Sequence, residues 1–227
     1  MVKIISETTA TVEQARKWAK NRGATQMFID LAPLYWEIAP KRGKLNPAIA
    51  YAQSALETAF GQFGGVIDDT YHNPCGLKIA SGGDNNDPEA HQRFIDWEEG
   101  ITAHCDHLAL YAGADGYPRE DTPDPRHFTW ILGKAKTVEE LSGNWAPSKT
   151  YGQSIVNHYL QPLEQTEVRI SFSDVPENRW SAEAIKQVAE QGLMVGYSDG
   201  TFRPTEPVTR EQLAVIIIRL QNLFEGN

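Results

Sequence analysis

The segment from Leu45 to Lys78, LNPAIAYAQSALETAFGQFGGVIDDTYHNPCGLK, constrains the fold more than any other part of the chain. Asn46 followed by Pro47 reads as an N-cap with proline at the first helical position, where a missing N–H leaves no bond unmade. Ala48, Ile49, Ala52, Leu56 and Phe60 then recur at helical spacing, and Gly61, Gly64 and Gly65 oppose further helix. One carboxylate, Glu57, stands in the last turn. Among Ala55, Leu56, Ala59 and Phe60, and near the negative end of the helix dipole, it has two reasons to keep its proton. A carboxylic acid still neutral at about pH 6 can protonate a leaving oxygen, as cleavage of a glycosidic bond requires. A solvent-facing helix glutamate has the same spacing, so the pattern alone leaves both readings open.

The run AQSALETAFGQFGG followed by YHNPCGLK resembles the glucosaminidase domains of glycoside hydrolase family 73, found in autolysins, flagellar muramidase-like domains and phage lysins. Their pattern is a helix ending AQxALExGxG, then a lobe opening with NPxGxK. The resemblance covers residues 1–163 and implies a mainly α (α+β) lysozyme-like fold: a helical body, a small β-lobe and a cleft between them. It also implies an endo-β-N-acetylglucosaminidase that cuts peptidoglycan strands after N-acetylglucosamine, with Glu57 as general acid and neither metal nor cofactor.

Such a reaction needs a partner for the acid: a second carboxylate, an activated water or the substrate's own acetamido group. After Phe63 the chain is rich in Gly, Asp and Asn, which predicts turns and short strands and offers Asp68, Asp69, Asp84, Asp87 and Glu89. Relatives carry this carboxylate in a Thr-x-Glu context that the lobe here, SGGDNNDPEAHQRF, lacks. Glu89, shortly before Arg93 and Phe94, is the first choice and Asp87 the second, although either also fits a solvated loop acid. Tyr71 and Asn73 stand at the opening of the lobe, where the family's matching asparagine shapes the cleft. Further on, NWAPSKTYGQ resembles the closing motif Tyr-Ala-Thr-Asp-Pro-x-Tyr, with Trp145 replacing the first tyrosine and Tyr151 matching the second. The resemblance implies sugar contact for this pair; aromatic rings closing the core would look the same.

Around these motifs the pattern is helical. Thr11 caps a helix to about Asn21, and Thr25 opens another that Pro33 should kink or restart. WEEGITAHCDHLALYAG, from Trp97, reads as an amphipathic helix, and Thr137-Val-Glu-Glu as a capping box opening one more. His72, His91, His104 and His107, with Cys75 and Cys105, lack the HExxH or paired CxxC spacing of a zinc site, so hydrogen-bonded histidines are expected instead. The two cysteines could bridge, but buried thiols are preferred because neither their number nor their spacing suggests a disulfide scaffold.

Proline and charge in QPLEQTEVR, residues 161–169, read as linker-like chain, and the linker between the domains is placed at 164–169. Residues 170–227 then resemble one surface-layer-homology (SLH) repeat through Phe172, Asp174, Trp180, Gly192, Gly196, Asp199, Gly200, Phe202, Pro204, Thr209, Arg210 and Glu211. The resemblance implies a small helical domain that anchors the chain to a secondary cell-wall polymer. Ser181 and Thr209 are N-cap candidates, and Arg210 at a helix start suits a carboxylated sugar. Trp180 could stack on sugar or brace the core, and the core is preferred. The last helix is apolar nearly all round, more than one short repeat can bury, so a homo-oligomer or docking onto the first domain is expected.

With 21 Lys+Arg against 30 Asp+Glu, the net charge of −9 argues against a nucleic-acid partner. No stretch is long and apolar enough to span a membrane, and the N-terminus lacks the apolar run of a secretory signal. For a cell-wall target this points to a signal already removed or to release through a holin, as in a phage endolysin. Three alternatives remain at this level: an N-acetylmuramidase or a lytic transglycosylase of the same fold, or a non-catalytic binder of wall glycan.

Overall fold

The computed structural model describes residues 1–168, 171–197 and 199–225. They form two compact units, Met1–Glu167 and Val168–Asn227. Helix takes 46% of the residues and strand 4%, the mainly α composition expected.

In the first unit α1 (Val12–Asn21) begins at a complete capping box, with Thr11 and Gln14 each accepting from the other's backbone N–H. It buries Ala15, Trp18 and Ala19. Thr25 caps α2 (Gln26–Ile38) by accepting from the Phe28 amide. α2 runs through Pro33 without ending, with the proline ring on the exposed side of the helix.

The central helix α3 (Pro47–Glu57) starts as its sequence predicts, the Asn46 side chain accepting from the amides of Ala48 and Ile49 at 2.9 and 3.4 Å. Residues Pro47 to Ala55 are all buried. Tyr51 is the hub of the core: its ring stacks on Phe28 at 4.6 Å, meets Trp18, Tyr35 and Trp36 edge-on, and its hydroxyl donates to the Phe28 carbonyl.

α4 (Trp97–Ala112), capped by Asp96, is not the amphipathic helix expected from its pattern. Apart from half-buried Thr102 it is buried continuously from Gly100 to Ala112, because the body packs on one side and the lobe on the other. The lobe rests on it through Cys75, Leu77 and Phe94 against Ala103, and at Gly100 the backbone comes so close that an added Cβ would lie 1.8 Å from the His72 carbonyl oxygen. Cys75 and Cys105 are both buried free thiols.

The lobe between α3 and α4 has little β structure. Its extended pairing is one antiparallel bridge, Lys78 to His91, flanked by amide bonds from Ile79 to Ala90 and from Gln92 to Leu77. Asp68, Asp84 and Asp87 each accept from a backbone N–H two residues on, so local turns replace a longer ladder. The helix expected at Thr137 is also shorter than its capping box suggested: Glu140 accepts from the amides of Lys136 and Thr137, but only a single tight turn, Glu139–Leu141, follows. The Thr137 hydroxyl is buried without a partner and closes no reciprocal bond.

α5 (Tyr151–Ile155) continues through a π-helical stretch, Val156–Leu160, into α6 (Gln161–Glu164). The wider turn comes just before Pro162, whose missing N–H frees a carbonyl one turn back. Gln161–Glu164 is therefore helix rather than linker-like chain, with Leu163 fully buried.

The second unit holds α7 (Ala182–Glu190) and α8 (Arg210–Glu225). Its signature residues build the connection between them. The Asp174 carboxylate accepts from the amides of Phe202 and Arg203 at 2.8 and 2.7 Å, Phe172 meets Phe202 at 5.1 Å, and Asp199 holds both Thr201 and Arg203. Gly196 is required because a Cβ there would lie 2.3 Å from the Phe172 ring. Thr209 caps α8 in a reciprocal pair with Gln212, whereas the Ser181 side chain makes no cap bond to α7. Along α8, Leu213, Val215, Ile217, Ile218, Leu220 and Leu223 are all exposed.

Candidate active site

Thr58 and the residues after it decide where Glu57 points. The Thr58 hydroxyl donates to the Ser54 carbonyl at 2.8 Å and accepts from the Gly61 amide at 3.0 Å, closing the last turn of α3. Ala59, Phe60 and Gly61 then take left-handed conformations. A side chain at Gly61 would strike the Thr25 hydroxyl at 2.5 Å and Phe28 Cβ at 2.7 Å, so the end of α3 is seated on the start of α2. The chain turns away at once and leaves Glu57 facing a cavity of about 210 Å³ shared with Thr58, Phe63, Ile67, Asn73, Gly76, Asn85 and His91.

Glu57 is exposed to this cleft, yet protein surrounds it on its other sides. Desolvation raises its pKa, and hydrogen bonding from Tyr151 and the nearby Trp145 indole oppose the rise without cancelling it. The Tyr151 hydroxyl donates to Glu57 Oε1 and accepts from Gln53 Nε2 at 2.9 Å. Burial, then the carboxylate beside it, push the Tyr151 phenol well above its ordinary range, so it stays protonated.

Trp145 is half-buried, its ring 5.1 Å from His107, 5.7 Å from Tyr111 and 5.8 Å from His104. Behind it, the buried Asp124 carboxylate holds His107 at 2.7 Å and His127 at 3.1 Å and lies low, at about 2, because those bonds outweigh its desolvation. The histidines are thus part of a hydrogen-bonded wall.

Asn73 lines the cleft, but its amide is fully engaged in its own turn, donating to the carbonyls of Leu77 and Gln92 and accepting from the amides of Cys75 and Leu77. It sets the shape of the lobe. Tyr71 is buried with the Arg93 guanidinium 3.8 Å above its ring. Glu89 and Asp87 are exposed on the outer loop, where Asp87 Oδ1 accepts from the Glu89 amide, and neither lines the cavity that holds Glu57.

Gln53 and His104 escaped sequence reasoning as site residues. Gln53 sits one turn before Glu57 on the same helix face, the only available signal, and His104 read as core. In the second unit, Arg210 is exposed at the first position of α8. Trp180 is 92% exposed, which overturns its preferred place in the core. The buried face there is made by Ile185, Ala189 and Leu193 instead.

Comparison with known proteins agrees with this division. The family model described as mannosyl-glycoprotein endo-beta-N-acetylglucosaminidase matches residues 32–162, and the S-layer homology domain model matches residues 171–214. An uncharacterized protein of Borreliella burgdorferi is 34% identical over 162 residues, covering 63% of this chain and 76% of its own length. Over the second unit, outer membrane protein SlpA of Thermus thermophilus is 46% identical over 54 residues, and a cellulosome-anchoring protein of Acetivibrio thermocellus 47% identical over 47. Those stretches span 24% and 21% of this chain but only 6% and 10% of the two proteins. No solved structure matches the chain. The first unit carries a match that spans more than half of the 227 residues, and by it the chain belongs to the glucosaminidase family, with an S-layer homology domain following in its second unit.

Proposed function

We propose that the chain is a peptidoglycan hydrolase of the family 73 type, an endo-β-N-acetylglucosaminidase, held at the wall by its SLH domain. The observation that carries this reading is Glu57, an acid of raised pKa at the end of α3, open to the cleft and tied to Tyr151. Glu57 gives its proton to the glycosidic oxygen as the bond to the sugar carbon breaks. Two-carboxylate glycosidases set their carboxyl groups about 5 to 9.5 Å apart across the scissile bond. Among the described residues, Glu57 is the only carboxylate lining the cavity, which favours the substrate's acetamido group over Glu89 or Asp87 as the partner that meets the developing positive charge. Trp145 and Tyr151 form one cleft wall against the sugar, while Tyr71 and Asn73 shape the opposite lobe. In the second unit, Arg210 and exposed Trp180 offer a cation and a stacking face to an anionic wall polymer.

The test is digestion of purified walls followed by mass spectrometry and reducing-end analysis of the released fragments. Reducing N-acetylglucosamine is the expected end group. Reducing N-acetylmuramic acid would instead identify a muramidase, anhydro ends a transglycosylase, and binding without release a glycan-binding protein. The apolar surface of α8 supports self-association through the second unit. Light scattering is expected to give a multiple of 25.3 kDa; a 25.3 kDa particle at micromolar concentration would remove that part of the proposal.

A further inference from the structure

Four hydrogen bonds join Tyr35 to Glu57 through the interior of the first unit. Tyr35 Oη lies 3.0 Å from His104 Nδ1, His104 Nε2 lies 3.1 Å from Gln53 Oε1, Gln53 Nε2 lies 2.9 Å from Tyr151 Oη, and Tyr151 Oη meets Glu57 Oε1. Tyr35, Gln53 and His104 are fully buried. The direction of every link follows from its last member. The ionised Glu57 can only accept, so Tyr151 donates its single proton to Oε1 and accepts from Gln53, an arrangement that protonation at Oε2 leaves intact. That turns the Gln53 amide nitrogen toward Tyr151 and its oxygen toward His104, which must then carry its proton on Nε2. Burial keeps the ring neutral, leaving Nδ1 bare to accept from Tyr35.

We propose that Tyr35, His104 and Gln53 are positioning residues that form a one-way donor chain, holding the Tyr151 hydroxyl on Oε1 of Glu57 and thereby assigning the catalytic proton to Oε2. The inference rests on the reading of Glu57 as the acid. With Oε1 taken by the Tyr151 hydroxyl, Oε2 is the oxygen left to carry the proton, and the nearby Trp145 indole is the carboxyl's other hydrogen-bonding neighbour. When its proton passes to the glycosidic oxygen and the C–O bonding pair goes with the leaving group, negative charge arrives on the carboxylate. The bond from Tyr151 then becomes charge-assisted and strengthens, stabilising the transition state more than the ground state. Donors aligned in one direction polarise one another, so the buried links act on the last bond from a distance. No proton moves along the chain.

The titratable neighbours of this path are few. Cys75 in the lobe is close enough to Glu57 to feel its charge, His91 lines the same cavity, and His107 and Asp124 flank His104.

The decisive variant is Gln53→Glu, which keeps the length and the contact with His104 but can only accept. It draws the Tyr151 proton away from Oε1 and adds a like charge. Wall cleavage is expected to show kcat lowered about tenfold or more with KM within about twofold, and the alkaline limb of the pH profile moved upward. Gln53→Met, which removes the donor without reversing the chain, is expected to move the same limb less. His104→Phe is expected to lower kcat, and His104→Gln, whose amide still donates to Gln53 Oε1, to recover most of that loss. Carbon-13 NMR titration of the Glu57 carboxyl reads the same shift without substrate.

Wild-type kcat and an unmoved limb in folded Gln53→Glu would overturn the proposal, and so would equal rates in the two His104 variants should Gln53→Glu fail to fold. Glu57→Gln, assayed alongside, separates the levels. An active Glu57→Gln removes both the acid and the chain, whereas an inactive one beside unchanged Gln53 and His104 variants removes the chain alone.

Discussion

Glu57→Gln is expected to lower the rate of wall cleavage by about a hundredfold to ten-thousandfold, with wall binding retained and no loss of thermal stability. The substitution keeps the shape and leaves Oε1 to accept from Tyr151, but the amide has no acidic proton to deliver to a leaving oxygen. Its effect on folding has the opposite sign to its effect on rate. Desolvation raises the folded-state pKa of Glu57 above its unfolded value, so the folded chain holds this proton more tightly. Relative stability from this group is fully present below the unfolded pKa and is lost as pH rises through the folded one. Above the unfolded pKa the wild type therefore carries a desolvation penalty that the amide lacks, and the variant should melt at or above the wild-type temperature. A melting scan beside the fragment assay distinguishes lost chemistry from lost structure. Wild-type cleavage by folded Glu57→Gln would sink the assignment of the acid.

The same shift sets the pH dependence of the wild type. If Glu57 is the acid, as proposed, its protonated form is the active one, and kcat/KM should fall as pH rises through its raised pKa. The bond from Tyr151 favours the carboxylate and holds that limb lower than desolvation alone would put it.

Local signals carried most of the first unit. Asn46-Pro47, Thr11 with Gln14, and Thr25 act within one turn of themselves, and each cap forms as its residues predict. Tertiary surroundings decided the rest. Pro33 stays inside α2 because it faces outward, and the polar face of α4 is buried from Gly100 onward because the lobe covers Gly100 and Ala103 while Arg42, Tyr117 and Asp124 cover Asp106 and His107. The lobe read as β from its short apolar pieces, but side chains such as Asp68, Asp84 and Asp87 take backbone amides into local turns. The place of Glu57 at the end of α3, where it lines the cleft, was legible from motif and environment together. Gln53 and His104 were not, since a glutamine on a buried helix face and a histidine in an apolar stripe carry no sign that residues 51 apart will share a hydrogen bond. Trp180 failed for a related reason: an aromatic near a helix start is core only if other parts of the small unit cover it, and here it stays 92% exposed while Ile185, Ala189 and Leu193 are the buried residues.

Arg42→Met is expected to destabilise the first unit by about 3 to 5 kcal/mol, a fall of about 10 °C in its melting temperature. Asp106 on α4 is fully buried, and Arg42 grips it with both arms of the guanidinium, Nε to Oδ1 at 2.8 Å and Nη2 to Oδ2 at 2.6 Å. Methionine retains much of the apolar stem, so the loss reports the charge and its hydrogen bonds rather than a cavity. What remains is a buried carboxylate whose other partner is the Tyr117 hydroxyl at 2.6 Å, one hydrogen bond against the desolvation of a full charge. Removing both charges in Arg42→Met with Asp106→Leu should recover a large part of the stability, because the penalty belongs to the orphaned ion more than to the missing attraction. Equal losses in the single and double variants would contradict that account. Asp106 lies two residues from His104 on the same helix, so the ion pair also fixes the stretch of α4 on which the buried path to Glu57 depends.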